Sequence, residues 1–183
     1  IAATGCDDKV GVYAVMEALR RVSKADLKCA VYAVSTVQEE LGLRGARTSA
    51  FGIDPHVGIA VDVTHATDYP GVDPKRVGEV KVGKGPSVAR GPNINPVLRE
   101  VIVKAAKVKK IAYQTEPAAR ATGTDANAIQ INRAGVAAAL VSVPNRYMHS
   151  SVEVISLTDL EDVAKLLAET VLRIDETCDF TPR

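Results

Sequence analysis

The sequence has little cysteine, no excess of either charge and no long apolar run, and these absences exclude several classes of protein. Cys6, Cys29 and Cys178 are odd in number and far apart, which excludes a zinc knuckle or a paired redox motif and favours a reducing cytoplasm. The 23 basic and 22 acidic residues are interspersed, which argues against nucleic acid or an anionic membrane as a partner. No apolar run reaches the roughly 20 residues of a membrane span, and the first residues lack the order of a signal peptide. We expect a soluble, cytoplasmic protein with a small substrate.

The 183 residues contain enough apolar sequence for one sizeable core, because 46% of them are hydrophobic. We therefore expect one domain. The chain opens on Ile1 rather than Met, and a helical pattern follows almost at once, as if a strand had been cut into. This opening predicts that residues 1–183 are part of a longer protein, with the first strands of its sheet upstream.

Periodicity in the sequence predicts alternating helices and strands. Apolar residues recur at helical spacing between residues 12 and 22 and again between 160 and 174, where Thr158 and Glu161 form a predicted capping box. The predicted helices cover residues 8–23, 43–50, 97–106, 125–132 and a final stretch from 158. Short apolar runs predict buried strands at 28–36, 57–63 and 136–143, a further strand at 111–115, and antiparallel strands or a hairpin over 75–90. Such alternation predicts an α/β fold, a three-layer αβα sandwich around a mostly parallel or mixed central sheet.

Acidic residues and one histidine fall where the predicted buried strands end. Glu39 and Glu40 follow the first of these strands, Asp62 closes the second, and His149 lies beyond the third. Ligands of α/β folds bind at the carboxyl ends of the strands, so these residues are candidates for one site. Together with Asp7, ahead of the first helix, they offer carboxylate and imidazole groups without thiolates, which suits zinc, cobalt or manganese in a catalytic site.

The number of candidate ligands indicates an incomplete dinuclear centre. Two catalytic ions about 3.5 to 4 Å apart each take about three protein ligands, and one shared carboxylate reduces the total from about six to about five. The candidates supply one bridge and three terminal ligands, so a further ligand is expected upstream of Ile1. Glu39 and Glu40 can divide two tasks. One carboxylate binds metal, while its unbound neighbour takes a proton from the bridging water and returns it to the leaving amine.

Each candidate also has an ordinary structural explanation. Charged residues are mostly exposed, so the Glu39–Glu40 pair on its own is typical of a solvated loop. Asp7 and Asp8 on their own suit the N-cap and first turn of a helix. An isolated histidine is usually a surface residue or is hydrogen-bonded in a loop. Asp62 is different, because an acid that closes an apolar strand needs a partner or a ligand.

Five segments resemble, in order and spacing, the tetrahedral or glutamyl aminopeptidases, a family of dinuclear metallo-exopeptidases whose relatives are often labelled endoglucanase-like. The segments are DDKVGV (7–12), VQEELGLRGA (37–46), AVDV (60–63), GTDA (123–126) and PNRYMHS (144–150). They span nearly the whole chain, and the ordered set is far more specific than any single match. Residues 1–183 therefore resemble the C-terminal part of a catalytic metallopeptidase domain with a zinc-exopeptidase-like fold.

The resemblance implies a role for each candidate residue. Asp7 corresponds to the carboxylate that bridges two divalent ions, with zinc or cobalt expected. Glu40, Asp62 and His149 correspond to the terminal ligands, and Glu39 corresponds to the general acid and base. A cis peptide bond after Asp7 is also implied.

Other segments of the resemblance concern the substrate and the missing parts. Gly123, Asp125 and Arg146 correspond to loops that line the substrate pocket, with turn chemistry as the alternative explanation.

The family has a His-x-Asp motif that supplies the fifth ligand and an inserted dimerisation domain, and both precede the segment that matches Asp7. Neither is present in residues 1–183. If the chain is the whole molecule, we expect weak binding of one ion and little or no peptidase activity.

The function implied for the parent protein is hydrolysis. N-terminal residues would be removed from peptides by water activated between two metal ions, in a homo-oligomer that the resemblance implies is a dodecamer built from dimers. Two alternatives stay open. One is a related amidohydrolase such as a deacylase, or a glycan hydrolase in which Glu39 and Asp62 form the acid pair, although glycosidases need no histidine and no further carboxylates. The other alternative is a catalytically incomplete assembly subunit, which the absent fifth ligand supports.

Overall fold

Six strands form one mixed sheet, and the longest apolar run of the sequence lies at its centre. In the computed structural model, which describes residues 1–181, the strands are β1 (Ala2–Ala3), β2 (Val57–His65), β3 (Ser87–Arg90), β4 (Gln114–Pro117), β5 (Ala137–Arg146) and β6 (Glu153–Ile155). One edge of β5 pairs in parallel with β2 along its whole length, and the other edge pairs antiparallel with β3 and then with β6. β4 runs parallel beside β3, and β1 pairs antiparallel with β6.

Helices cover both faces of this sheet. They are α1 (Cys6–Val22), α2 (Arg44–Ile53), α3 (Pro74–Val77), α4 (Pro96–Lys109), α5 (Asp125–Gln130) and α6 (Leu157–Val171). α1, α4 and α6 pack on the face of β5 that carries Val141 and Val143, where the main core lies. α5 packs on the opposite face, against Leu140 and neighbouring alanines, and α2 lies beside α5. The predicted mixed α/β architecture is confirmed. Within the described residues, no helix is long and apolar enough to span a bilayer.

The predicted strand at 28–36 is wrong. The segment is extended but pairs with no strand in the described part of the chain, and its residues alternate between half-buried and exposed, with Tyr32 66% exposed. A cleft of about 1760 Å³ is lined by this segment, by α1 and by β2. Apolar composition predicts burial, but a strand also requires a neighbouring backbone to accept its hydrogen bonds, and composition does not specify that neighbour.

Two other local predictions need correction. Over 75–90 the expected hairpin is absent: α3 begins at Pro74, capped by the Asp73 side chain, and only Ser87–Arg90 forms a strand. The glycines of this segment have positive φ and turn the chain, and β3 finds its partners in distant strands. The strand expected at 111–115 lies slightly later, at Gln114–Pro117.

The buried face of α1 also differs from the predicted stripe. Val12 and Met16 are exposed, whereas the buried positions are Gly11, Ala14, Ala18 and Val22 besides Cys6. Small residues allow α1 to lie close to α6 and β2, and the larger apolar side chains of α1 line the cleft instead. Gly11 is required for a local reason, because a Cβ at this position would lie 2.1 Å from Asp8 Oδ2.

The N-terminus of α6 is capped two residues earlier than predicted. Ser156, not Thr158, is the N-cap, and its hydroxyl accepts a hydrogen bond from the backbone N–H of Asp159. The Asp159 carboxylate is buried and accepts hydrogen bonds from the N–H groups of Gly83 and Gly85, at 2.6 and 2.9 Å. Asp159 therefore fixes the loop that leads into β3.

Replacing Asp159 by Ala is expected to lower the free energy of unfolding by about 2 to 3 kcal/mol, because the Gly85 N–H is buried and loses its acceptor. D159N keeps one acceptor oxygen and should lose less. Urea unfolding midpoints measure both variants. The matched control is D162A on the same helix, where a partly exposed pair with Lys165 predicts a change below about 0.5 kcal/mol. A D159A variant as stable as the control would show that the loop does not depend on this carboxylate.

Candidate metal centre

Three of the predicted metal ligands meet in space. Ligand atoms of Asp7, Glu40 and His149 all lie within 4.8 Å of one another, and no other group of three such side chains does so in the described part of the chain. The His149 Nε2 is 3.1 Å from Asp7 Oδ2 and 3.4 Å from Glu40 Oε1. The three residues come from the start of α1, the loop before α2 and the loop after β5, so the tertiary fold assembles the cluster.

Asp7 is held at the start of α1 by the neighbouring strand β6. The peptide bond between Asp7 and Asp8 is cis, as the resemblance implied, and both residues depart from helical backbone angles. The Asp7 N–H donates to Glu153 Oε2 at 3.1 Å, and Glu153 also accepts from the Asn145 side-chain amide at 3.1 Å. Glu153 and Asn145 are both buried, so this anchor lies inside the protein.

Glu39 and Glu40 lie on one tight turn. The Glu39 carbonyl accepts hydrogen bonds from the N–H groups of Gly42 and Leu43, at 3.0 and 2.9 Å. Both glutamate side chains line a cavity of about 390 Å³, together with Asp7 and His149. Glu39 is half-buried, whereas Glu40 is exposed. The prediction that adjacent glutamates can approach one centre is consistent with this turn, although the preceding segment is not a strand.

Asp62 lines the same cavity but lies outside the three-residue cluster. Its Oδ1 accepts from the Val63 N–H at 2.8 Å. Burial, together with the negative charges of Glu39 and Asp7, raises the pKa of Asp62 to about 7, while the Val63 N–H opposes the shift. Asp62 is therefore in the electrostatic field of the cluster, and its assignment as a ligand stays a prediction.

The candidate acid and base, Glu39, shares this acidic environment. Burial raises the pKa of Glu39 to about 7, with added contributions from the charges of Asp125, Glu40 and Asp7. Burial and the Glu40 charge also raise the pKa of Asp7. Carboxyl groups crowded in this way favour a bound cation, which removes their mutual repulsion.

Sequence reasoning gave no role in the site to two residues beside the cluster. Burial and the Asp62 charge raise the pKa of Asp8 to about 9, while the Gly11 N–H, which donates to its Oδ1 at 3.0 Å, opposes the shift. His65 ends β2, and its ring centroid is 6.1 Å from that of His149 in an edge-to-face arrangement. Asp62 was a candidate because ligands of α/β folds bind at the carboxyl ends of the strands. The same reasoning applies to His65, which lies near the same end of β2, so the sequence could have indicated it as well.

The predicted substrate-binding residues are divided between the cavity and its surroundings. Gly123 lines the cavity, and Asp125 lines the adjoining cleft, where its Oδ2 accepts from the Thr36 hydroxyl at 2.6 Å. Arg146 is not among the residues that line either space. Its Nε and Nη2 donate to the two carboxylate oxygens of Asp68, at 2.8 and 2.6 Å. A role for these three residues in substrate binding stays a prediction.

The cluster fits a divalent cation by chemistry and by spacing. Ligand atoms about 2.0 to 2.2 Å from a tetrahedral zinc ion are about 3.3 to 3.6 Å apart. The nitrogen-to-oxygen distances of 3.1 and 3.4 Å are close to that spacing. Two carboxylates and one imidazole also match the three-ligand, one-open-position pattern of catalytic sites. The fold and the cluster thus define a mixed α/β protein with a candidate site for a divalent metal ion.

The chain matches the family described as M42 glutamyl aminopeptidase over residues 1–166, and it belongs to that family. A lysyl aminopeptidase of Pyrococcus furiosus is 49% identical over 178 residues, which are 96% of this chain and 49% of the relative. A crystal structure of a TET aminopeptidase from a marine sediment archaeon of the Thaumarchaeota is 36% identical, with a TM-score of 0.90 over 96% of this chain and 50% of that one. The TET1 peptidase of Pyrococcus horikoshii is 30% identical, with a TM-score of 0.79 over 94% of this chain and 50% of that one.

The chain spans about half the length of the curated relatives it matches. The family model covers residues 1–166, and the solved TET aminopeptidase structure shares the fold of the mixed sheet. Both findings agree with the resemblance found in the sequence.

Proposed function

We propose that the protein is a metal-dependent aminopeptidase that removes N-terminal residues from peptides. The observation that carries the proposal is the cluster of Asp7, Glu40 and His149, with Glu39 in the same cavity, in a chain of the M42 family. Each of these residues has the type and position that the reaction needs. The proposal applies to the complete gene product.

The metal requirement follows from the ligand set. Asp7, Glu40 and His149 would hold one divalent cation, and Asp62 and Asp7, which line the same cavity, would supply ligands to a second. Zinc or cobalt suits these oxygen and nitrogen ligands. When bound, such cations supply Lewis acidity that polarises a peptide carbonyl and favours deprotonation of water.

Glu39 moves the proton. Burial raises the pKa of Glu39 above its ordinary value, and this burial persists when a cation neutralises the neighbouring acids, so its carboxylate is suited to exchange a proton, as a general base and acid requires. It accepts the proton from the attacking water and returns it to the leaving amine. Glu39 is half-buried on the turn that also carries Glu40, which supports a role beside the proposed ligands Asp7, Glu40 and His149.

The relatives support finer parts of the proposal. The 49% identical relative is named a lysyl aminopeptidase, and we propose a preference for N-terminal lysine here too. The Pyrococcus horikoshii relative can assemble into a tetrahedron or a large octahedral shell. By analogy, a cytoplasmic homo-oligomer built from dimers, such as a dodecamer, is proposed for the complete gene product.

The test is hydrolysis of lysyl-p-nitroanilide by the complete gene product, with and without a chelator. We expect chelation to reduce turnover to the background rate and added zinc or cobalt to restore it, because the metal site is needed for catalysis. The N-acetylated substrate is the control and should not be cleaved, since an aminopeptidase requires a free amine. Turnover that persists in the chelator, or chelator-insensitive glycan hydrolysis, contradicts the proposal.

A further inference from the structure

An additional carboxylate lines the cavity of the metal cluster. Glu116, on β4, lines the same cavity of about 390 Å³ as Asp7, Glu40 and His149. It has no part in holding metal or in moving the proton as described above. Its position in the cavity therefore needs a separate explanation.

The pairing of the strands explains why Glu116 faces this cavity. Asp62 is aligned with Ser142 of β5, which is aligned with Ser87 of β3, and Ser87 is aligned with Gln114 of β4. Residues aligned across a sheet point to one face, and so does the residue two positions further along a strand. Glu116, two residues beyond Gln114, is therefore on the face of the sheet that carries Asp62.

Two buried hydroxyl groups fix the orientation of the Glu116 carboxylate. Its Oε1 accepts from the Thr64 hydroxyl at 2.8 Å, and its Oε2 accepts from the Ser87 hydroxyl at 2.6 Å. Thr64 is 8% exposed and Ser87 is fully buried. An ionised carboxylate has about four acceptor positions, so each oxygen keeps capacity for a further donor.

No cation in the described part of the chain neutralises Glu116. Among residues 1–181, no Lys, Arg or His side-chain nitrogen lies within 4.0 Å of its carboxylate. Arg120 also lines the cavity, but it is exposed and forms no ion pair with Glu116. Partly buried carboxylates are strongly stabilised by a cationic hydrogen-bond donor, and here both existing donors are neutral.

The cavity that Glu116 lines has apolar walls that suit an aliphatic stem. Small or flexible apolar residues line it, namely Ala89, Ala118, Ala119, Ala121, Leu140 and Met148. A lysine side chain buries its methylene groups on apolar surface and directs its ammonium group to a polar partner. A cavity with apolar wall residues and a carboxylate held by two hydroxyl groups is complementary to such a side chain.

We propose that Glu116 selects a basic N-terminal residue by pairing with the ammonium or guanidinium group of its side chain. This inference rests on the proposed aminopeptidase function, because the substrate amine and scissile carbonyl are bound near the Asp7, Glu40 and His149 cluster. The side chain of the first residue then extends along the apolar wall to Glu116. Thr64 and Ser87 are positioning residues that hold the carboxylate for this contact.

The test compares kcat/KM of the complete gene product for lysyl- and norleucyl-p-nitroanilide, which differ in the terminal ammonium group. E116Q is expected to lower kcat/KM for the lysyl substrate by about 10- to 100-fold, because a charge-assisted contact is replaced by a neutral one. The value for the norleucyl substrate should stay within about 3-fold of wild type. E116D, which keeps the charge on a shorter side chain, should retain a preference between those of E116Q and wild type.

The matched control is E100Q, which removes one negative charge from an exposed position on α4, on the opposite face of the sheet. It should leave both substrates unchanged. An unchanged ratio of lysyl to norleucyl turnover in E116Q, or an equal loss on both substrates, overturns the assignment of Glu116 alone. Absence of turnover on every aminoacyl substrate in the wild type, with metal bound, overturns the proposed function and this inference with it.

Discussion

Replacing Glu39 by Gln is expected to lower kcat by about 10²- to 10⁴-fold while the metal content stays at the wild-type level. Glutamine has nearly the same shape as glutamate but cannot accept the proton of the attacking water. Glu39 is proposed as the proton carrier and not as a ligand, so its replacement should leave the metal bound. Turnover of lysyl-p-nitroanilide and metal content by atomic emission provide the two readouts.

The adjacent residue supplies the control for this experiment. E40Q changes the same chemical group one position along the chain, and it should lose metal because Glu40 Oε1 lies 3.4 Å from the His149 Nε2. If E39Q loses metal and E40Q retains it, the two roles are exchanged. If E39Q keeps both metal and full turnover, Glu39 is not the proton carrier.

Replacing His149 by Ala is expected to weaken metal binding by at least about 100-fold, since removal of a direct ligand costs more than the 10- to 100-fold typical of an outer-shell partner. Asp7→Asn should have a similar effect and should reduce binding at both metal positions, because Asp7 is proposed as their shared carboxylate. Asp62→Asn should remove only the second ion. Competition with a chromogenic chelator measures each affinity and the stoichiometry.

Another histidine controls for nonspecific effects of the substitution. His56 is exposed in the loop before β2 and lies outside the cluster, so H56A should bind metal as the wild type does. Wild-type stoichiometry and affinity in H149A would reject His149 as a ligand. A loss of metal in H56A equal to that in H149A would show that the measurement reports folding instead of coordination.

The candidate ligands could be selected from the sequence because their segments carry a local signal. Asp62 and His149 follow from apolar runs that become β2 and β5, and the structure contains both strands. Glu40 was placed at the end of a strand that the structure lacks. It still reaches the cavity, because the turn at 38–43 is held by its own backbone hydrogen bonds and does not need a preceding strand.

Contacts between distant segments could not be predicted in this way. Thr64 and Glu116 are 52 residues apart, and they meet only because the strands pair in a particular register. The burial of Asp8 depends on how closely α1 approaches the sheet, which its small residues permit but do not specify. The resemblance implied that Arg146 belongs to a loop of the substrate pocket, but it could not indicate that Asp68, 78 residues earlier, binds its guanidinium group.

The buried side chain of Glu153 connects two of the proposed metal ligands. It accepts from the Asp7 N–H and from the side chain of Asn145, at the end of the strand that leads to His149. The backbone at Asp7 and the strand end that leads to His149 are thus both anchored to the buried Glu153 side chain without a metal ion. Less conformational entropy is lost on coordination when the ligands are already in place, so this preorganisation raises the affinity without adding a contact to the metal.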